Sequence, residues 1–231
     1  MIKTYEGIVI RQTKIVGGRR MILVFTREDG KLSAGTMISE KSKGGAALAL
    51  RPFAYGQYTM NEKGAGTRSI SSAETLDAHF ALGEDADRFA EASFALEFTD
   101  KVLPENAAAP VIFDLLKEYL TMLASRKVDF RLLTISYMVK VMQELGVFPD
   151  AGSLSDGAAA SAAGLLLTGL NGDILTTIVF IAEQPLGRMD ALTLEGEKEG
   201  TVFGIVKAFA HEHLELGILK SERMLSWGSV K

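Results

Sequence analysis

Apolar and polar positions alternate along the first seventy-odd residues of this chain, and beyond His79 they recur every three to four. The first period belongs to strands and the second to helices. Ile8 and Ile10 alternate with Val9 and Arg11, the pattern of a half-buried strand, and Met21–Thr26 is rich in the β-branched and aromatic residues of a second. Between them runs Lys14-Ile15-Val16-Gly17-Gly18-Arg19-Arg20, whose paired glycines permit a sharp bend and whose arginines are expected to face solvent. Asp29-Gly30 signals a turn into Lys31–Ala34, and Gly35–Ile38 continues as strand. Ala46–Leu50 can form one helical turn, which Arg51-Pro52 ends because the residue before proline avoids the α region. Phe53–Met60 and Thr67–Ala73 complete the set. Five short strands with glycine-rich connections suit a small β-barrel of the OB-fold type.

The helical part is marked by its stripes. Phe89, Ala92, Leu96 and Leu103 share a face that Pro104 closes. Ile112, Leu115, Leu116, Tyr119, Leu120 and Leu123 form the next, with Pro110 near its start. Phe130, Leu133, Tyr137, Met138, Val141, Met142 and Leu145 form a third, with Gly146 placed to cap it and Pro149 to stop it. Asp173–Gln184 reads as a buried helix ending at Pro185, and Glu197–Gly217 as a last one despite Gly200 and Gly204. Asp150–Gly164 is small and polar, with little to bury. The expected fold class is α+β: an N-terminal five-stranded OB-fold barrel over residues 1–76, then an all-α helical domain over 77–231.

The net charge of −4 hides an asymmetry. Residues 1–70 carry 12 Lys and Arg against 5 Asp and Glu, whereas residues 71–231 carry 13 against 24. The barrel end is therefore +7 and the remainder −11, so the barrel is the part suited to a polyanion. Arg11, Lys14, Arg19 and Arg20 fall on one strand-loop-strand unit, and Lys41, Lys43 and Arg51 flank the next connection. Any one of these is more often plain solvated surface. As a cluster beside the early loops of an OB-fold they form the candidate nucleic-acid site. Phe25, Phe53 and Tyr55 could stack on bases, but aromatics of a small barrel more often fill its core, and they are left out of the site.

Catalytic and metal chemistry finds no support. There is no cysteine, which excludes disulfides and thiolate metal sites and fits a reducing compartment. His211 and His213 are two apart on a helix and point to different faces, as solvent-facing residues. The acidic run Glu195, Glu197, Glu199 suits a helix N-terminus. No Walker loop and no GxSxG string occurs. The N-terminus lacks the apolar core of a signal peptide, and no run approaches a membrane span, so a cytoplasmic protein without cofactor is expected.

Several strings, in order along nearly the whole chain, resemble the RecO family of bacterial recombination mediators. They are Glu6–Arg11, Leu23–Ser33, Leu50–Phe53, Leu103-Pro104, Phe113–Leu116, His213–Gly217 and Leu219–Ser221. The resemblance implies a non-enzymatic, nucleoid-associated protein that binds single- and double-stranded DNA and anneals complementary strands. It also implies help in loading recombinase onto DNA coated by single-strand-binding protein, and RecR as a partner. Many members carry four cysteines after the third helix as a zinc site; here Asp150–Leu167 has none, so no zinc is expected and Leu165–Leu167 are expected to dock on the bundle instead. A further implied partner is the acidic C-terminal tail of single-strand-binding protein. Lys117, Arg126, Lys127, Arg131 and Lys140, basic islands beside apolar helix faces, are its candidate site, although ordinary exposed helix charge explains each one equally well. Two alternatives stay open: an OB-fold RNA-binding module, and a protein-interaction scaffold.

Overall fold

The computed structural model describes residues 1–15, 19–39, 45–64, 66–125, 129–156, 172–194 and 196–226. Five strands close into a barrel in the order β1-β2-β3-β5-β4: β1 (Ile2–Lys14), β2 (Arg20–Thr26), β3 (Gly30–Thr36), β4 (Tyr55–Lys63) and β5 (Thr67–Asp77). The long first strand serves both halves, pairing β4 through Ile2–Ile8 and β2 through Gly7–Lys14. A single turn of helix, α1 (Gly45–Leu48), precedes β4. Closure comes from β3 and β5, which run parallel and pair over only Gly35↔Ser69 and Thr36↔Ile70.

Alternation along the strands sorts their side chains into two cores. Val9, Ile22, Val24, Leu32, Tyr58, Met60 and Ile70 point inward and fill the barrel. Ile8, Ile10, Leu23 and Phe25 point outward, yet they too are buried, because this outer face is covered by the helices. The half-buried strand expected from Ile8 and Ile10 is thus buried on both faces. A β-bulge between Val9 and Arg11 adds a residue to β1, and Arg11 turns out toward the helices rather than into the barrel.

The helical half begins with a 3-10 turn at Phe80–Glu84, followed by α2 (Ala86–Val102), α3 (Pro110–Ser125), α4 (Phe130–Glu144), α5 (Ala151–Ser155), α6 (Gly172–Glu183) and α7 (Gly196–His213). Asp85 and Asp129 cap α2 and α4 by accepting backbone N–H bonds of their first turns. Gly146, at φ 73°, ends α4 as its spacing predicts, and the Val147 N–H returns to the Met142 carbonyl at 3.0 Å. Instead of one apolar stripe, α4 buries Leu132 through Val139 on every side, which makes it the central helix. Its buried hydroxyls are satisfied: Tyr137 Oη lies 2.6 Å from Thr99 Oγ1, and Thr134 Oγ1 lies 2.8 Å from Tyr119 Oη.

Two expectations change in this half, and a third is met with an added burial. Phe89 is not a core residue but 40% exposed, edge-on to Phe53 at 5.4 Å. The last helix stops at His213 rather than Gly217, and the chain then returns to α2, where Glu97 accepts bonds from the Lys220 and Ser221 N–H groups at 3.0 and 2.7 Å. Glu199 is an acid of the first turn of α7, as expected, and it is also buried, 4% exposed and paired with Arg131 at 3.1 Å. Residues 157–171, which include Leu165–Leu167, lie outside the described residues. Among the described residues no helix is long and apolar enough to cross a membrane.

Candidate nucleic-acid interface

The weak closure between β3 and β5 leaves a groove at the end of the barrel, with a volume of about 1080 Å³. Three connections build its walls: the β1–β2 loop with Ile15 and Arg19, the end of β3 with Thr36 and Met37, and the β4–β5 hairpin with Lys63 and Arg68. In an OB-fold the loops joining strands 1 to 2 and 4 to 5 flank the ligand face, and this groove lies between the same two connections. The side chains of Arg19 and Lys63 are exposed and make no hydrogen bond or ion pair among the described residues. Arg68 is held in the wall by Asn106 Oδ1 at 2.9 Å and by Glu62 at 3.2 Å.

Arg20 behaves differently from its neighbour. It pairs in register with Lys14 on β1 and Thr36 on β3, and its guanidinium folds inward to donate to the Ile38 carbonyl. At 5% exposure it braces the groove wall, which corrects the expectation that both arginines face solvent. Lys14 is exposed on the adjoining end of β1. Arg11 lies elsewhere, in a second cleft, with its guanidinium 3.6 Å from Asp100 on α2. Arg51 is exposed beside Pro52, which lines that second cleft, and Lys41 and Lys43 lie outside the described residues. Lys63 and Arg68 were missed in the sequence because only the early loops were weighed there, whereas barrel closure brings the last hairpin to the same mouth.

Much of the barrel's positive charge faces its own helices. Lys31 Nζ lies 2.8 Å from Asp100 Oδ1 in a nearly dry contact, and Arg27 grips Asp114 with two bonds of 2.9 and 3.1 Å. Lys117 on α3 reaches across to Tyr55 Oη at 2.7 Å and Glu6 at 3.2 Å, while the Tyr55 hydroxyl donates to Glu6 at 2.6 Å. That hydroxyl bond, with Lys117 behind it, holds the Glu6 carboxyl below the usual carboxylate range, and Arg27 does the same for Asp114. Phe25 meets Phe113 edge-on at 5.5 Å in the same interface.

Of the residues expected to hold a partner's acidic tail, the three that are described, Lys117, Arg131 and Lys140, each have partners within the fold. Lys117 belongs to the barrel–helix interface just described. Arg131 is bound to buried Glu199 and to Ser226, and burial pushes the Glu199 carboxyl up. Lys140 is half-buried and donates to the Ala182 carbonyl at 2.7 Å, and burial lowers its pKa. Arg126 and Lys127 lie outside the described residues. A structural zinc does not fit either, since the chain has no cysteine and the described residues hold no group of three possible ligands.

The strand order and the mouth flanked by the first and last hairpins define an OB-fold with the architecture of an oligonucleotide-binding module, joined to a helical domain. The family model "Recombination protein O N terminal" matches residues 1–79, and "Recombination protein O C terminal" matches residues 83–163, together more than half of the chain. The chain belongs to the RecO family. It is similar to the DNA repair protein RecO of Bacillus cereus strain B4264, with 30% identity over 149 residues, 64% of this chain and 59% of that protein. The Bacillus cytotoxicus protein of the same name is 29% identical over an equal span, and that of Bacillus anthracis 30%. The match thus spans about 59% of the length of these relatives.

Proposed function

We propose that this chain is a non-enzymatic mediator of bacterial DNA repair by homologous recombination, working in the cytoplasm at the nucleoid. It holds single- and double-stranded DNA in the groove between the β1–β2 and β4–β5 connections, anneals complementary strands, and helps recombinase onto DNA coated by single-strand-binding protein. The observation that carries the reading is the pair Arg19 and Lys63, exposed cations from two hairpins lining one groove, whose side chains have no partner among the described residues. Lys14 and Arg68 extend the positive surface on either side, and Lys41, Lys43 and Arg51 remain proposed contacts along the strand's path. An Arg19→Glu, Lys63→Glu double variant is expected to fold normally and to lose binding and strand annealing together. A folded double variant that anneals at the parental rate would refute the assignment.

For the partner, the committed state of Lys117, Arg131 and Lys140 shifts attention to the second cleft, about 620 Å³, between β1 and α2. Ile10, Phe53, Phe89 and Leu96 give it an apolar floor, Lys101 and Lys220 line it with Arg11, and its two acids, Glu97 and Asp100, are already engaged by the Lys220 and Ser221 N–H groups and by Lys31 and Arg11. An acidic tail ending in a hydrophobic residue, such as that of single-strand-binding protein, suits this combination. Removing the terminal hydrophobic residue from such a peptide is expected to weaken binding roughly ten- to 100-fold. Charge reversal at Lys101 and Lys220 is expected to weaken it too, and unchanged affinity in both experiments would remove the cleft from consideration. RecR is proposed as a further partner, without an assigned surface.

The scaffold alternative draws on a specific observation, that Arg11, Arg27 and Lys31 face acids of the helical half rather than solvent. Titration with matched single-stranded DNA and RNA separates the three readings. A scaffold binds neither polymer, and an RNA module prefers the ribose form.

A further inference from the structure

The barrel has five aromatic residues, and none of them is at the groove. Tyr5 and Tyr58 lie in the barrel core, and the Tyr58 hydroxyl is tied to the Ala49 carbonyl at 2.7 Å. Phe25 and Phe53 are buried against the helices. Tyr55 is held by Glu6 and Lys117. The stretches outside the described residues in this half, 16–18, 40–44 and 65, contain no aromatic either. The large apolar side chains left at the mouth are aliphatic: Met37, 73% exposed, and Ile15, 45% exposed.

OB-folds that hold single strands tightly combine a basic track with aromatic side chains on which successive bases stack, each worth roughly five- to 150-fold in affinity. This groove has the track without the stacking platform. We infer that nucleic acid bound here is gripped by its phosphates, with its bases unstacked by the protein and free to pair. The inference rests on the groove being the DNA site. A strand held in this way presents its pairing edges to a complementary strand, and no base has to be stripped from an aromatic ring before annealing. Phosphate contacts also carry no base information, so the grip is tolerant of sequence.

The experiment compares a single-stranded DNA with an abasic strand of the same length and phosphate count, using the full chain. The expected result is binding of the two within about threefold, since they present the same charges. A loss of tenfold or more on the abasic strand would overturn the inference while leaving the groove as the DNA site. Failure of both strands to bind would overturn the DNA reading itself, and the inference with it.

Discussion

Arg19 and Arg20 are adjacent, of one residue type, and opposite in role. Arg19 stands in solvent at the mouth of the groove, whereas Arg20 is folded into its wall with its guanidinium on a carbonyl. Arg20→Ala is expected to destabilise the chain by about 2 kcal/mol, since it strips a partly buried acceptor of a charged donor. Arg19→Ala is expected to stay within about 0.5 kcal/mol, and urea unfolding of the two variants makes the comparison. Equal costs would mean that Arg20 does not brace the wall. Arg131 poses the same distinction in the helical half, because it neutralises a buried acid. Arg131→Ala is expected to cost about 3 kcal/mol by leaving Glu199 without its partner. A loss of partner binding in that variant would therefore report on folding before it reported on an interface.

At the scale of elements, the chain's own periodicity placed most of what is observed. The Asp29-Gly30 turn, Pro110 at the start of α3 and Gly146 after α4 all sit where their backbone chemistry puts them. What could not be read locally depends on contacts between distant residues. The bulge that turns Arg11 outward matters only because Asp100 waits there on α2, and the full burial of α4 depends on helices packed around it. Gly30 joins the two levels, with φ at +73° and the Ala107 carbonyl only 1.9 Å from where a Cβ would stand. Gly146 has the same φ and open space. Gly146→Ala is expected to cost about 1 kcal/mol from backbone strain alone. Gly30→Ala is expected to cost at least about 2 kcal/mol more, because the β2–β3 turn must lift from the α2–α3 connection. Thermal unfolding that ranks the two variants equally would contradict this packing.

The molecule as a whole joins a basic barrel to an acidic bundle, and the charge split along the sequence has two readings that only the fold separates. Part of it is internal, in the contacts of Lys31 with Asp100, Arg27 with Asp114 and Lys117 with Glu6. Another part faces outward at the groove, where Lys63 and Arg68 come from a hairpin that is distant in sequence from the first loop. The internal part predicts a pH dependence. Glu6 and Asp114 are held below their ordinary values in the folded chain, so their contribution is complete above the unfolded carboxylate pKa of about 4. It is lost as the pH falls through the lowered folded values. Stability is therefore expected to decline on the acid side of about pH 4. In a Lys117→Met, Arg27→Met variant the decline should be shallower. An acid limb identical to the parent's would show that these contacts do not link folding to pH.

The salt dependence of DNA binding tests the central claim most directly. Each phosphate engaged on a single strand contributes about 0.7 to the slope of log affinity against log salt. The Arg19→Glu, Lys63→Glu variant removes two such contacts while leaving Arg20 in the wall and the barrel–helix pairs intact. The slope is expected to become shallower by about 1.4, with affinity falling alike for every sequence tested. A folded variant with the parental slope would mean that DNA does not lie in this groove.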